Sequence, residues 1–101
     1  MVTEQRALLT VITEAAIESR LLKDLEALGM RGYTIVDVRG KGSRGVRDGQ
    51  LQESANIRIE TVVTQHKAHL ILNHLAQHYY ENYAMIAFIR DVEILRPAKF
   101  N

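Results

Sequence analysis

The 101 residues include no cysteine, so a disulfide framework and a thiolate metal site are both excluded. No apolar run approaches the roughly 20 residues that a membrane-spanning helix needs. The opening Met1–Arg6 stretch lacks the basic start of a secretion signal. The expectation is a cytoplasmic protein with no membrane insertion. A net charge of +1 supplies no global pull toward nucleic acid or membrane. Proline occurs once, at Pro97, where a short tail of about 96–101 begins. Glycine is missing from most of the chain, because all six fall between Gly29 and Gly49.

What is present is a hydrophobic content of 47%. The length predicts a single domain over 1–101. A lone domain of this size buries only about two-thirds of the surface its unfolded chain exposes, so self-association would help it. Arg6–Thr13 is a short, almost wholly apolar run that suits a central strand. Glu14–Leu28 has a helical period, with Ile17, Leu21, Leu25 and Leu28 on one stripe, Thr13 as cap and Gly29 as stop. Tyr33–Arg39 and Ile57–Thr64 alternate as strands. Gln65–Tyr80 reads as a second helix with Ala68, Ile71, Leu72, Leu75, Ala76 and Tyr79 inward. Ala84–Asp91 is a fourth strand, which Val92–Leu95 can extend. The order βαββαβ predicts an α+β, ferredoxin-like fold: a four-stranded antiparallel sheet with both helices on one face. Apolar residues stand on both faces of the first and last strands. A bare apolar sheet face calls for a partner, which predicts a homo-oligomer.

Between the second and third strands, residues 40–56 have no apolar period. Loops of this length are usually functional or disordered. This one opens with Gly40-Lys41-Gly42-Ser43-Arg44-Gly45-Val46-Arg47. Glycines let a backbone approach a ligand closely, and successive N–H groups with cations nearby form an anion site. A phosphate is the expected anion. Gly40–Gly45 satisfies G-x-G-x-x-G, but a dinucleotide site needs those glycines to open a helix, and here a polar loop and then a strand follow. The Walker A pattern is absent. With few apolar contacts, residues 43–55 are expected to be mobile alone and more ordered with ligand.

Other chemistry finds less support. His66, His69, His74 and His78 lie on the second helix without a companion carboxylate or cysteine, and read as a solvated face. Tyr79, Tyr80 and Tyr83 read as core and turn packing. No nucleophile and base stand together, so no catalytic residue, metal ligand or enzymatic activity is assigned. The third strand lacks the aromatics that an RNA-binding sheet needs.

Gly32-Tyr33-Thr34-Ile35-Val36 followed by Gly40-Lys41-Gly42-Ser43-Arg44 resembles the PII signal-transduction superfamily. Arg47, Ala55-Asn56-Ile57 and the ending Val92-Glu93-Ile94-Leu95-Arg96 resemble its PII-like branch associated with bicarbonate transporters and carboxysomes. The resemblance spans Leu9 to Phe100. It implies a homotrimer with adenine nucleotide in the clefts between subunits, and a T-loop, about 41–56 here, that signals to inorganic-carbon uptake or fixation. Gly40 and Gly42 would admit the phosphates, Lys41, Arg44 and Arg47 would neutralise them, and Ser43 would add a hydroxyl. Asn56 would brace the loop or meet the ribose. A neighbour's Phe88, Ile89 and Arg90 would line the base. No cofactor is required. AMP and ADP are the implied ligands, with ATP, cyclic AMP and bicarbonate as further candidates. The implied partner is a bicarbonate transporter or carboxysome-related protein, reached in the cytoplasm or at the membrane surface. Two departures from the family stand out: residues 43–55 carry no modifiable tyrosine, and Glu81–Met85 lacks a basic, glycine-rich loop. A direct bicarbonate or small-anion sensor and a slow nucleotide hydrolase are the alternatives.

Overall fold

The structure is a computed structural model that describes residues 1–40 and 55–95. The proposed loop positions 41–54 and the tail 96–101 lie outside the described residues, and the expectation about loop mobility lies there with them. The elements run β1 (Glu4–Glu14), a 3-10 turn (Ala15–Ile17), α1 (Glu18–Ala27), β2 (Thr34–Val38), β3 (Asn56–Val63), α2 (Gln65–His78) and β4 (Met85–Ile94). The sheet order is β2-β3-β1-β4 with every neighbouring pair antiparallel. This is the ferredoxin-like arrangement that the element order predicts.

Period-two alternation builds the core. Ala7, Leu9, Val11 and Thr13 of β1, and Ile57, Ile59, Thr61 and Val63 of β3, are all buried on one face. Leu21 and Leu25 of α1 and Ala68, Ile71 and Leu75 of α2 meet them from above. Burying one such aliphatic side chain is worth about 1.5–3 kcal/mol, so this layer holds the sheet's register.

The first helix starts later than its apolar period suggests. β1 runs on to Glu14, because Thr13 and Glu14 still pair with Ile57 and Asn56. The chain then tightens through Ala15–Ile17, and α1 begins at Glu18 with no side-chain cap. Thr13 is no cap: its buried hydroxyl donates to the Ala84 carbonyl, 3.1 Å away. Gly29 does end the helix. Its N–H bonds the Glu26 carbonyl, the Met30 N–H bonds the Leu25 carbonyl, and its φ of 111° is one that glycine alone adopts easily.

The other boundaries shift by a residue or two. Thr64 caps α2 rather than ending β3, its hydroxyl accepting from the Lys67 N–H. Ala76 is exposed rather than inward, since the buried stripe runs through Ile71, Leu75 and Tyr79 and leaves it off the face. β4 takes in most of the extension to Ile94, which lengthens its ladder with β1 down to the Glu4 pair.

Candidate functional site

Of the described candidate residues, Asn56, Phe88 and Arg90 lie on the sheet face turned away from the helices. The register sets its side chains in rows across the strands. Val36, Arg58, Ile12 and Ile86 form one row, and Thr34, Glu60, Thr10 and Phe88 the next. Val62, Leu8 and Arg90 follow in a third. Ile86 is 54% exposed, Phe88 38% and Val36 37%. Three large apolar side chains standing exposed on one face form the kind of patch that marks an interaction surface.

A notch of about 300 Å³ opens beside β2 and β3, lined by Leu8, Gly32, Thr34, Glu60 and Val62 among others. Gly32 lies at its border. A Cβ built there would meet nothing within 4 Å, and its φ is not positive. Among the described residues, neither backbone conformation nor packing requires glycine at this position. Thr61 on the opposite face fixes the wall by donating its hydroxyl to the Gly32 carbonyl at 2.7 Å. Glu60 Oε2 accepts from the buried Thr10 hydroxyl at 3.2 Å and lies 3.8 Å from Arg58 Nε. The notch therefore combines an aliphatic floor with a hydroxyl and a fixed carboxylate at its border, a lining suited to a flat, mostly apolar ring with a polar edge.

Five of the ten proposed nucleotide-site residues are described. Gly40 is exposed just after β2, and Asn56 begins β3 beside Val38. Phe88 and Arg90 share the open face of β4, whereas the Ile89 side chain points to the other face and packs against the core. Lys41, Gly42, Ser43, Arg44 and Arg47 lie outside the described residues. Gly40 and Phe88 belong to opposite edges of the sheet, since β2 and β4 are its outer strands. Three interstrand spacings, roughly 14 Å, separate those strands, and Gly40 lies six residues beyond Thr34, the β2 residue in the Phe88 row, so the two are far apart within one chain. The notch itself was not read from sequence. Gly32-Tyr33-Thr34 carried the signal, as a glycine immediately ahead of a strand with no turn that needs it.

A second cluster joins the helices. Tyr79, fully buried, donates its hydroxyl to Asp24 Oδ2 at 2.5 Å. Burial, and then that bond, push the Tyr79 hydroxyl up from 10.0 to about 12. The same hydroxyl, with His74 behind it, holds the Asp24 carboxyl below its usual range against the opposing effect of burial. His74 Nε2 stands 3.5 Å from Asp24 Oδ2, and its ring lies 4.6 Å from that of His78. Arg20 covers the Tyr79 ring at 5.1 Å and donates to the Tyr83 hydroxyl at 3.0 Å. His74 is thus a partner in an interhelix contact and not a solvated residue, because Asp24 of α1 faces it. Tyr79 and Tyr83 do serve as core and turn packing. Among the described residues no three His, Cys, Asp or Glu groups are placed to hold a metal, and no helix is long and apolar enough to cross a membrane.

This architecture has close counterparts. The chain is similar to a PII-like protein from Thermus thermophilus, with 38% identity, 100% of both chains covered and a TM-score of 0.83. It is also similar to CPII from Thiomonas intermedia. With the structure of CPII bound to ADP and bicarbonate it shares 31% identity over 99% of this chain and 98% of that one, at a TM-score of 0.84. With CPII bound to ADP, AMP and acetate it shares 27% identity, with the same coverage and a TM-score of 0.86. The sequence profile of the family described as nitrogen regulatory protein P-II matches residues 6–99. A match over almost the whole chain, on a four-stranded sheet of the expected order, shows that this protein belongs to the P-II family.

Proposed function

We propose that this protein is a non-enzymatic sensor of adenine nucleotides that works as a homotrimer and responds to inorganic carbon. The observation that carries the reading is the notch at Gly32, open and unfilled by the described side chains. β2 leads from its border at Thr34 to Gly40, where the cation-rich loop begins. A nucleotide laid along β2 would seat its base beside Leu8 and Val62 and carry its phosphates toward Lys41, Ser43, Arg44 and Arg47. Asn56 stands on the neighbouring strand at the same end. CPII, which shares 31% identity with this chain, is bound to ADP and bicarbonate, and this supports the same ligand classes here. The apolar open face supports a cyclic assembly in which a neighbour's β4 brings Phe88 and Arg90 to the cleft. Nucleotide state would then order the loop of about 41–56, and the loop would engage a protein of bicarbonate uptake or fixation. That is coupling through an order–disorder element.

Calorimetry with AMP, ADP, ATP, cyclic AMP and bicarbonate, singly and in pairs, tests the reading. AMP or ADP binding to the wild type, lost in a Gly32→Val variant that stays folded, is the expected result. Bicarbonate binding with no nucleotide binding would instead favour a direct anion sensor. Steady phosphate release from ATP or ADP would favour the hydrolase. Unchanged hydrogen exchange at residues 43–55 under saturating nucleotide would sink the loop as output.

A further inference from the structure

Arg58 is the one cation of β3, and the register sets it among apolar neighbours. It stands between Val36 of β2 and Ile12 of β1, with Ile86 one strand beyond. Its Nε is shut off from solvent and has no hydrogen-bond partner among the described residues. The nearest carboxylate oxygen, Glu60 Oε2, is 3.8 Å away, too far for a hydrogen bond, and is already engaged by the Thr10 hydroxyl. Glu60 therefore orients and partly neutralises the guanidinium from one side without bonding its Nε. The side chain as a whole is 42% exposed, so the rest of the fork is open to a ligand.

The surroundings decide what that fork needs. Val36 and Ile86, in the same row, are half-exposed apolar side chains on the face that the proposed trimer would cover. Covering them strips water from Arg58 as well. An arginine cannot shed its proton, and a desolvated charge without a hydrogen-bonded counter-charge is strongly unfavourable. The guanidinium matches planar oxyanions through paired N–H donors. Its row adjoins the Thr34–Glu60 row at the notch border, two residues or roughly 7 Å along the strand.

We infer that Arg58 is an oxyanion receptor at the edge of the notch, taking either bicarbonate or the phosphate oxygens of a nucleotide seated along β2. The inference rests on the ligand classes proposed above and assigns them a specific side chain. Glu60 and Thr10 serve as its positioning pair, so the anion meets a pre-aimed fork and not a freely rotating one. The two sources share one chemistry, a singly or doubly charged oxygen anion that can accept from two N–H groups at once.

The test follows the Arg58 Nε–Hε resonance in full-length, nitrogen-labelled protein. Bicarbonate, ADP and adenosine are titrated separately at mildly alkaline pH and constant ionic strength. Calorimetry is run in parallel on the wild type, Arg58→Gln and Arg58→Lys. If bicarbonate is the anion, it shifts the resonance, and Arg58→Gln weakens bicarbonate by about tenfold or more, the range of a charge-assisted hydrogen bond, while ADP changes little. If the nucleotide phosphate is the anion, ADP shifts the resonance and is weakened similarly, while adenosine is not. Arg58→Lys should recover only part of either loss, since it restores the charge without the fork. A resonance that neither anion moves, with unchanged affinities in Arg58→Gln, overturns the inference. So does an Arg58→Gln variant whose only defect is dissociation in light scattering, because the counter-charge would then be a second copy's carboxylate. If adenine nucleotides do not bind the wild type at all, the nucleotide reading fails, and the bicarbonate titration alone still decides Arg58.

Discussion

Replacing Tyr79 with phenylalanine removes one oxygen and leaves the ring. The ring keeps its packing against Tyr83 at 5.7 Å and beneath Arg20 at 5.1 Å, so the cost reports the bond to Asp24. A hydrogen bond to a charged group is worth about 1.5–3 kcal/mol. The Tyr79 hydroxyl is raised from 10.0 to about 12, by burial first and by the Asp24 bond second, so the shift sets the pH window of the effect and not the size of the bond. The folded state holds this proton more tightly than the unfolded state. The contribution is therefore fully present below pH 10 and is lost as pH rises through about 12. At the acid end the sign reverses. The Asp24 carboxyl is depressed in the fold, so its contribution is present above the ordinary 3.8 and fades as pH falls through the folded value. Urea unfolding of the wild type and Tyr79→Phe, at fixed protein concentration from neutral to alkaline pH, should show a gap of about 2 kcal/mol that closes between pH 10 and about 12. A gap that stays constant over that range, or no gap at neutral pH, would refute the reasoning.

The remaining expectations concern the helix stop, the assembly and the loop. Gly29→Ala should destabilise by about 1 kcal/mol or more, because φ is 111° and the new Cβ would meet Lys67 Cε at 2.8 Å; thermal unfolding at fixed concentration measures it. Phe88→Asp should break the proposed trimer into smaller species in light scattering while circular dichroism stays native, since the side chain is 38% exposed on the open face and contributes little to the chain's own core. Arg47→Ala should weaken ADP by about tenfold or more and leave adenosine nearly unchanged in calorimetry, because the guanidinium is assigned to phosphate.

The sequence by itself determined the element order, the stop at Gly29, the two-sided apolarity of β1 and β4, and the position of the cation-rich loop. These are local facts. Alternation, helical period and glycine placement act over a few residues, so no distant contact is needed to read them. The end of β1 was not local. Glu14 and Thr13 carry a helical pattern, and only pairing with Asn56 and Ile57 keeps them in the sheet. His74 looked solvated until Asp24, fifty residues earlier, came to face it. The notch at Gly32 exists because β2 lies beside β3 and β1 beyond it, which brings Leu8 and Val62 to a glycine with which they share no sequence pattern. Arg58 was one of several cations near the glycines until the register placed it between Val36 and Ile12, with its Nε enclosed and unbonded among the described residues. Tertiary structure decided these points because strand register and helix docking depend on the burial of the whole core, and that sum fixes which residues far apart in the chain share a row.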